Sequence, residues 1–82
     1  MTEATVDRAI SAALADIAPE IDFDTLDRAA DLQSEADLDS MDFLNLLAAL
    51  AEALGIEVPE RDYPQVRSID GLVTYLSARQ PA

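Results

Sequence analysis

The chain has 82 residues, a formal net charge of -12, and neither cysteine nor histidine. A chain this short builds one hydrophobic core, so we expect residues 1–82 to form a single domain that is ordered roughly over residues 3–79, with residues 80–82 fraying. The missing residue types exclude disulfides, thiol nucleophiles and imidazole bases from the chain itself. We therefore predict that it is not an enzyme and has no catalytic residues. Its acidity also argues against binding nucleic acid.

The acidic residues are concentrated in one part of the chain. Nine of the seventeen lie between Glu20 and Asp42, where Arg28 is the only basic residue. The negative electrostatic field of these carboxylates attracts basic proteins, and salt should weaken the repulsion between them. The apolar run over residues 9–18 is interrupted by Asp16 and follows no basic leader, so we find no signal peptide or membrane span. We expect a cytoplasmic monomer that does not insert into membranes.

The first predicted helix runs from about residue 3 to residue 18. Apolar residues recur on one side of it at three- and four-residue spacing, and Pro19 ends it. From Glu20 to Leu38 no single period holds, so the segment is either a functional loop or one that hides a helical turn near residues 32–36. Its apolar residues are spaced as anchors across a core: Ile21, Phe23, Leu26, Leu32 and Leu38.

The second predicted helix begins at Asp39 or Ser40 and ends near Gly55. At about 100° per residue, we expect a buried face made of Phe43, Leu44, Leu47, Leu50, Ala51 and Leu54. Leu46 lies at the margin of that face, where it either completes the core or lines a crevice towards the last helix; we favour the core. The opposite face suits docking to another protein, and it carries Met41, Asn45, Ala48 and Glu52.

The remaining elements complete a small helical protein. Residues 56–59 are predicted to be extended, and residues 60–63 form at most a short third helix because Pro64 follows. Ser68 caps a last helix with Asp70 in its first turn and Arg79 in its last. The predicted buried stripe of that helix is Ile69, Leu72, Val73 and Leu76. The fold class is all-α: a small four-helix bundle, with three main helices, a short third helix, and a long loop between the first and second helices.

The acidic loop does not contain a recognisable metal site. An EF-hand needs oxygen ligands at loop positions one, three and five, glycine at six and glutamate at twelve. Counting from Asp37, the last three of these positions hold Met41, Asp42 and Ala48. We therefore predict no metal ligands.

Ser40 stands where the acidic loop meets the second helix. It could simply cap that helix. It is not a nucleophile, because the chain has no histidine or lysine to remove its proton. Its hydroxyl could instead be modified, since a phosphate ester at a helix N-terminus lies at the favourable end of the dipole. The carboxylates of Asp39 and Asp42 would repel that phosphate, so we expect that their role is to attract a basic enzyme.

Residues 38–44, Leu-Asp-Ser-Met-Asp-Phe-Leu, resemble the phosphopantetheine attachment site of acyl carrier proteins, and residues 55–59 and 68–72 extend the resemblance over nearly the whole chain. The resemblance implies that a phosphopantetheinyl transferase attaches 4'-phosphopantetheine from coenzyme A to Ser40, and that its thiol carries acyl groups as thioesters. The implied partners are acyl-activating enzymes, acyltransferases or synthases with basic docking patches. By matching position, the resemblance implies partner-recognition roles for Asp39, Met41, Asp42 and Glu52. The outward face of the second helix adds Asn45 and Ala48 to the predicted recognition residues.

Two positions depart from the pattern of that family. Asp37 stands where glycine is frequent, so the last turn of the loop could differ, and Asn45 stands where fatty-acid carriers usually have glutamate. These differences suggest a discrete carrier for a specialised lipid or polyketide-type pathway rather than for housekeeping fatty-acid enzymes. Two alternatives stay open: a peptidyl or aryl carrier protein, and an unmodified acidic adaptor that binds basic proteins.

Overall fold

The computed structural model describes residues 2–79, and the predicted fraying of residues 80–82 lies outside this range. Within it the chain forms four α-helices: α1 (Glu3–Ile17), α2 (Leu32–Glu35), α3 (Ser40–Leu54) and α4 (Ile69–Ser77). Two further segments are a short 3₁₀ helix (Phe23–Thr25) and a long 3₁₀ helix (Glu60–Val66). No strand occurs in the described part of the chain, which confirms the all-α prediction. None of the helices described is long and apolar enough to cross a membrane.

The ends of α1 follow from local capping. The Thr2 hydroxyl accepts the Thr5 N–H at 3.2 Å, and the Ala18 N–H donates to the Leu14 carbonyl at 2.7 Å just before Pro19. The helix packs against both α3 and α4. The predicted apolar side of α1 is confirmed, because Ile17 packs against the edge of the core and the other apolar residues of that side are buried: Val6, Ile10, Ala13 and Leu14.

The segment between α1 and α3 crosses the core as an anchored loop. Leu32 and Leu38 are buried, and the other three predicted anchors are half-buried against the core. The expected helical turn is present as α2. The short 3₁₀ helix was not predicted; it forms because the Asp22 carboxylate accepts the Asp24 N–H at 3.1 Å, while the Thr25 hydroxyl donates to the Asp22 carbonyl. Such side-chain bonds favour local turns.

Arg28 ties the middle of this loop to the bundle. Its Nη2 lies 2.8 Å from Asp7 Oδ1 on α1, and its Nε lies 3.3 Å from Asp70 Oδ1 on α4. The hydrogen bond to Asp7 is the main reason why the pKa of this guanidinium is raised. A single arginine inside the acidic stretch therefore joins three elements.

The buried face of α3 differs from the predicted one in two residues. Leu46 is fully buried with Phe43, Leu47, Leu50 and Leu54, so our preference for a core role is confirmed. The prediction that Leu44 is buried was wrong, because its side chain is 44% exposed, and Ala51 is half-buried. The buried stripe of α3 therefore includes Leu46 in place of Leu44, and the helix packs against α1.

The long 3₁₀ helix extends through Pro64 to Val66, so the prediction that the segment ends at Tyr63 was wrong. Proline removes one donor, but its fixed φ suits 3₁₀ geometry. The segment also packs against α4, where the Tyr75 hydroxyl donates to Asp62 Oδ2 at 2.6 Å. Burial of Tyr75, followed by this hydrogen bond, raises the pKa of its phenol.

The last helix, α4, has the predicted cap and buried stripe. The Ser68 hydroxyl accepts the Gly71 N–H at 2.9 Å, and Tyr75 is buried in addition to the predicted residues. Arg79 lies two residues beyond the end of α4 rather than in its last turn. It nevertheless donates to the Tyr75 carbonyl at 3.2 Å and stacks on the Tyr75 ring at 3.4 Å.

Candidate functional site

The start of α3 is fixed by a reciprocal pair of hydrogen bonds between Asp39 and Asp42. Asp39 Oδ1 accepts the Asp42 N–H at 2.8 Å, and Asp42 Oδ2 accepts the Asp39 N–H at 3.5 Å. Asp39 is therefore the N-cap, and the alternative that Ser40 caps the helix was wrong. Both residue types cap helices well, and the loop enters α3 one residue earlier than a Ser40 cap would need.

Ser40 is the first residue of α3, and its side chain is exposed. Because Asp39 does the capping, the Ser40 hydroxyl makes no hydrogen bond to any residue in the range 2–79. The chain contains no histidine and no lysine that could act as a base beside it. What the position offers is an accessible hydroxyl next to the positive end of a helix dipole.

Asp37 takes a left-handed backbone conformation, with φ of 53°. It is the non-glycine residue with positive φ in the described chain, and it stands where the resembling family often has glycine. The turn closes normally around it, since the Leu38 N–H donates to the Gln33 carbonyl at 2.8 Å. Aspartate tolerates this conformation better than most residues. The backbone of Asp37 is therefore mildly strained, while a difference between this turn and that of the family stays a prediction.

The outward face of α3 carries the residues that the sequence predicted there. Met41 is 68% exposed, and Asn45, Ala48 and Glu52 are exposed further along the helix. Leu44 joins them, so two large apolar side chains lie at the surface within one turn of Ser40. The structure thus places the predicted outward stripe at the surface, while its role in docking stays a prediction.

A cleft of about 250 Å³ opens beside Ser40, between α3, the long 3₁₀ helix and α2. A second cleft of about 200 Å³ lies further along α3, and Leu44 and Tyr63 border both. The Tyr63 ring stands edge-on to Phe43, with centroids 6.2 Å apart. The residues that line the first cleft are Gln33, Ser40, Phe43, Leu44, Tyr63 and Arg67.

Three lining residues of the first cleft were missed by sequence reasoning. Gln33 comes from α2, and Tyr63 and Arg67 come from the segment after α3; the fold brings both segments to Ser40. No spacing pattern links them to the serine. The crevice towards the last helix, considered for Leu46, is not what forms, because Leu46 is fully buried.

The acidic residues do not assemble into a metal site. Within residues 2–79 no group of three or more possible ligands lies close enough together to hold an ion. Several of the loop carboxylates instead accept backbone or side-chain hydrogen bonds, such as Glu35 from the Asp27 N–H at 2.8 Å.

Comparison with known proteins points to one family. A family model described as a phosphopantetheine attachment site matches residues 8–76. The chain is 30% identical over 60 residues to an acyl carrier protein of Lactobacillus johnsonii, an alignment that covers 73% of this chain and 75% of that protein. It is 32% identical over 53 residues, or 65% of this chain, to two mitochondrial proteins: acyl carrier protein 2 of Arabidopsis thaliana and an acyl carrier protein of Neurospora crassa. Those alignments cover 42% and 40% of the two relatives.

Proposed function

The chain belongs to the acyl carrier protein family, and from this premise we propose that Ser40 is the residue to which its 4'-phosphopantetheine is attached. Members of this family are carriers rather than enzymes, which confirms the prediction of a non-catalytic protein. Covalent 4'-phosphopantetheine is the prosthetic group of the family, so the predicted cofactor is confirmed as well. The position of the attachment and the pathway served are our proposals.

The single observation that carries the proposal is the free, exposed hydroxyl of Ser40. Three other serines use their hydroxyls within the fold: Ser34 donates to Asp31, Ser68 caps α4, and Ser77 donates to the Thr74 carbonyl. Ser11 lies within α1, away from any helix end. Ser40 alone combines exposure, a helix N-terminus and the match to the family motif.

The residues around Ser40 fit a phosphodiester at this position. The helix dipole of α3 favours negative charge at its start. The capping pair of Asp39 and Asp42 holds that start in place, and the adjacent cleft leaves room beside the serine. When attached, the prosthetic group supplies a thiol that holds an acyl group as a thioester. The chain has no cysteine that could take the acyl group by exchange.

We further propose that the cargo is an acyl group of a specialised lipid or polyketide-type pathway. Asn45 is exposed in the outward stripe, so the surface lacks the carboxylate that fatty-acid enzymes usually meet there. The relatives named above are acyl carriers, which favours acyl cargo over the aminoacyl or aryl alternative. The cytoplasmic location stays a prediction, since two of those relatives are mitochondrial.

The proposed partners are a phosphopantetheinyl transferase and acyl-handling enzymes with basic docking patches. Acidic side chains on the loop and on α3 would attract such patches, and Met41 and Leu44 would provide apolar contact. Of the alternatives, the unmodified adaptor rests on the acidity and on the outward face of α3, and it has no support in the comparisons.

Attachment is tested by coexpressing the chain with a broad-specificity phosphopantetheinyl transferase and measuring intact mass. We expect the wild type and the Ser34→Ala control to gain one phosphopantetheine, and Ser40→Ala to gain none. A gain that persists in Ser40→Ala would move the attachment elsewhere. An unmodified wild type beside a modified control carrier would refute the proposal. The mass of protein from its own host would show the cargo, and an aminoacyl or aryl thioester there would replace the acyl proposal.

A further inference from the structure

Arg67 is the basic residue that lines the cleft beside Ser40. It follows the long 3₁₀ helix directly and precedes the N-cap of α4. Its carbonyl accepts the N–H of the fully buried Leu32 at 2.6 Å. The backbone of Arg67 is therefore held against α2, while its side chain is exposed at the cleft.

The Arg67 guanidinium has no acidic partner within 4.0 Å among residues 2–79. Arg28 and Arg79, by contrast, form ion pairs that hold elements of the fold together. The backbone of Arg67 is fixed beside the proposed modification site, and its side chain has no acidic partner in the described chain. The guanidinium is therefore free to pair with a negative group that is added at that site.

The proposed modification would bring such a charge. A phosphodiester on Ser40 carries one negative charge, and the nearest charged residues in sequence, Asp39 and Asp42, are carboxylates fixed in the capping pair. The repulsion between the phosphodiester and these carboxylates has to be offset by a positive charge from another part of the fold. Arginine is suited to this because its planar guanidinium stays charged and can donate two hydrogen bonds to phosphate oxygens.

We propose that Arg67 pairs with the phosphodiester on Ser40 and so positions the first atoms of the prosthetic arm along the cleft. This inference rests on the proposed attachment at Ser40. Arg67 also borders a third cleft, which is lined by Asp31, so that carboxylate is the competing partner for the same side chain. Modification of Ser40 would draw the guanidinium to the cleft beside α3.

The test uses the intact chain, prepared with and without phosphopantetheine and checked by intact mass. In ¹⁵N-labelled protein, we expect the Nε–Hε signal of Arg67 to shift on modification and that of Arg61 to stay in place. Arg61 is the matched control, because it is exposed on the long 3₁₀ helix and lies outside the cleft. The loss of one signal in Arg67→Gln assigns it.

The same pair of residues gives a thermal measurement. Attachment of phosphopantetheine changes Tm, and this change should be more positive in the wild type and in Arg61→Gln than in Arg67→Gln. The difference between the variants should be about 1–5 °C and should shrink in high salt. Arg67→Lys keeps the charge without the planar donors, so it should fall between the two.

Equal Tm changes in all variants, with an unmoved Arg67 signal, would overturn the inference. An Arg67 signal that responds to Asp31→Asn and not to modification would overturn it in favour of the Asp31 pair. Failure of the proposed function is recognised separately, because the wild-type mass would then be unchanged and this inference would fall with it. A mass gain without any Arg67 response removes this inference alone.

Discussion

Asp39 and Asp42 act on the backbone at the start of α3, through the two hydrogen bonds that cap it. The sequence predicts that they attract basic enzymes, and the structure adds this capping role. Replacing an N-cap aspartate by alanine removes about 1 kcal/mol of stability, so an alanine variant at Asp39 would confuse lost structure with lost recognition. Asp39→Ser keeps a capping oxygen and removes the charge, which makes it the better probe of recognition.

Asp37 carries the strain of the left-handed turn before Ser40. Glycine adopts this conformation without a Cβ clash, whereas alanine pays about 1–2 kcal/mol for it. Because Asp37→Gly and Asp37→Ala remove the same charge, the difference between their free energies of unfolding reports the cost of the left-handed backbone conformation. We expect the glycine variant to have the higher free energy of unfolding, by about 1 kcal/mol, as measured by urea denaturation.

The control for Asp37 is the same pair of substitutions at Ser34, an exposed residue of α2 with ordinary helical geometry. There alanine should be the more stable variant, because glycine is disfavoured inside a helix. If alanine were also the better residue at position 37, the left-handed assignment would be wrong.

At the scale of elements, α3 shows how two leucines two residues apart divide between core and surface. Leu46 is fully buried and Leu44 is 44% exposed. Truncating a buried leucine to alanine costs about 2–5 kcal/mol, and at an exposed position the effect is usually within about 0.5 kcal/mol. Denaturant unfolding should therefore show a large loss for Leu46→Ala and a small one for Leu44→Ala.

A folded reference keeps this comparison usable if Leu46→Ala does not fold. Leu46→Met preserves most of the volume and should cost less than about 1.5 kcal/mol. Similar losses for Leu44→Ala and Leu46→Ala would mean that the helix presents the originally predicted face to the core.

The helices were predictable because their ends are local events. Thr2, Ser68 and Gly55 act within a few residues of themselves, and Pro19 stops α1 without help from the fold. The burial of Leu46 in place of Leu44 was not predictable from periodicity, since a 100° step fixes a stripe but not which of its edges is buried. The extension through Pro64 depends on the Asp62 to Tyr75 contact, which is tertiary.

The candidate site was predictable to a different extent. The residues of α3 form one contiguous motif, so their placement at the surface could be anticipated, apart from Leu44. The choice between Asp39 and Ser40 as the cap stayed open in the sequence because both residue types cap helices well. Tyr63 and Arg67 approach Ser40 only because the segment after α3 folds back, and no local signal marks that return.

For the whole molecule, charge repulsion opposes the packing. The ion pairs of Arg28 and Arg79 are partly exposed, and salt weakens them; it also screens the much larger excess of seventeen acidic over five basic residues. The screening of repulsion between the acidic residues should be the larger effect. We expect the free energy of unfolding to rise by about 1 kcal/mol between about 20 mM and about 300 mM NaCl.

The location of the repulsion can be checked with two charge-matched double variants. Glu20→Gln with Asp24→Asn removes two exposed charges inside the acidic stretch, and Asp16→Asn with Glu57→Gln removes two outside it. The first pair should reduce the salt dependence of unfolding more than the second. Equal slopes would show that the total charge matters and its distribution does not.

The exposed face beside Ser40 also bears on the timing of encounters. Electrostatic attraction mainly raises the rate at which partners meet, whereas the apolar area that is buried governs how long they stay together. This face combines a dense negative field with two exposed large apolar side chains in the described chain, Met41 and Leu44. Such a surface favours rapid arrival, and an apolar area of only these two side chains favours short residence, so one carrier could visit several enzymes in succession without being held by any of them.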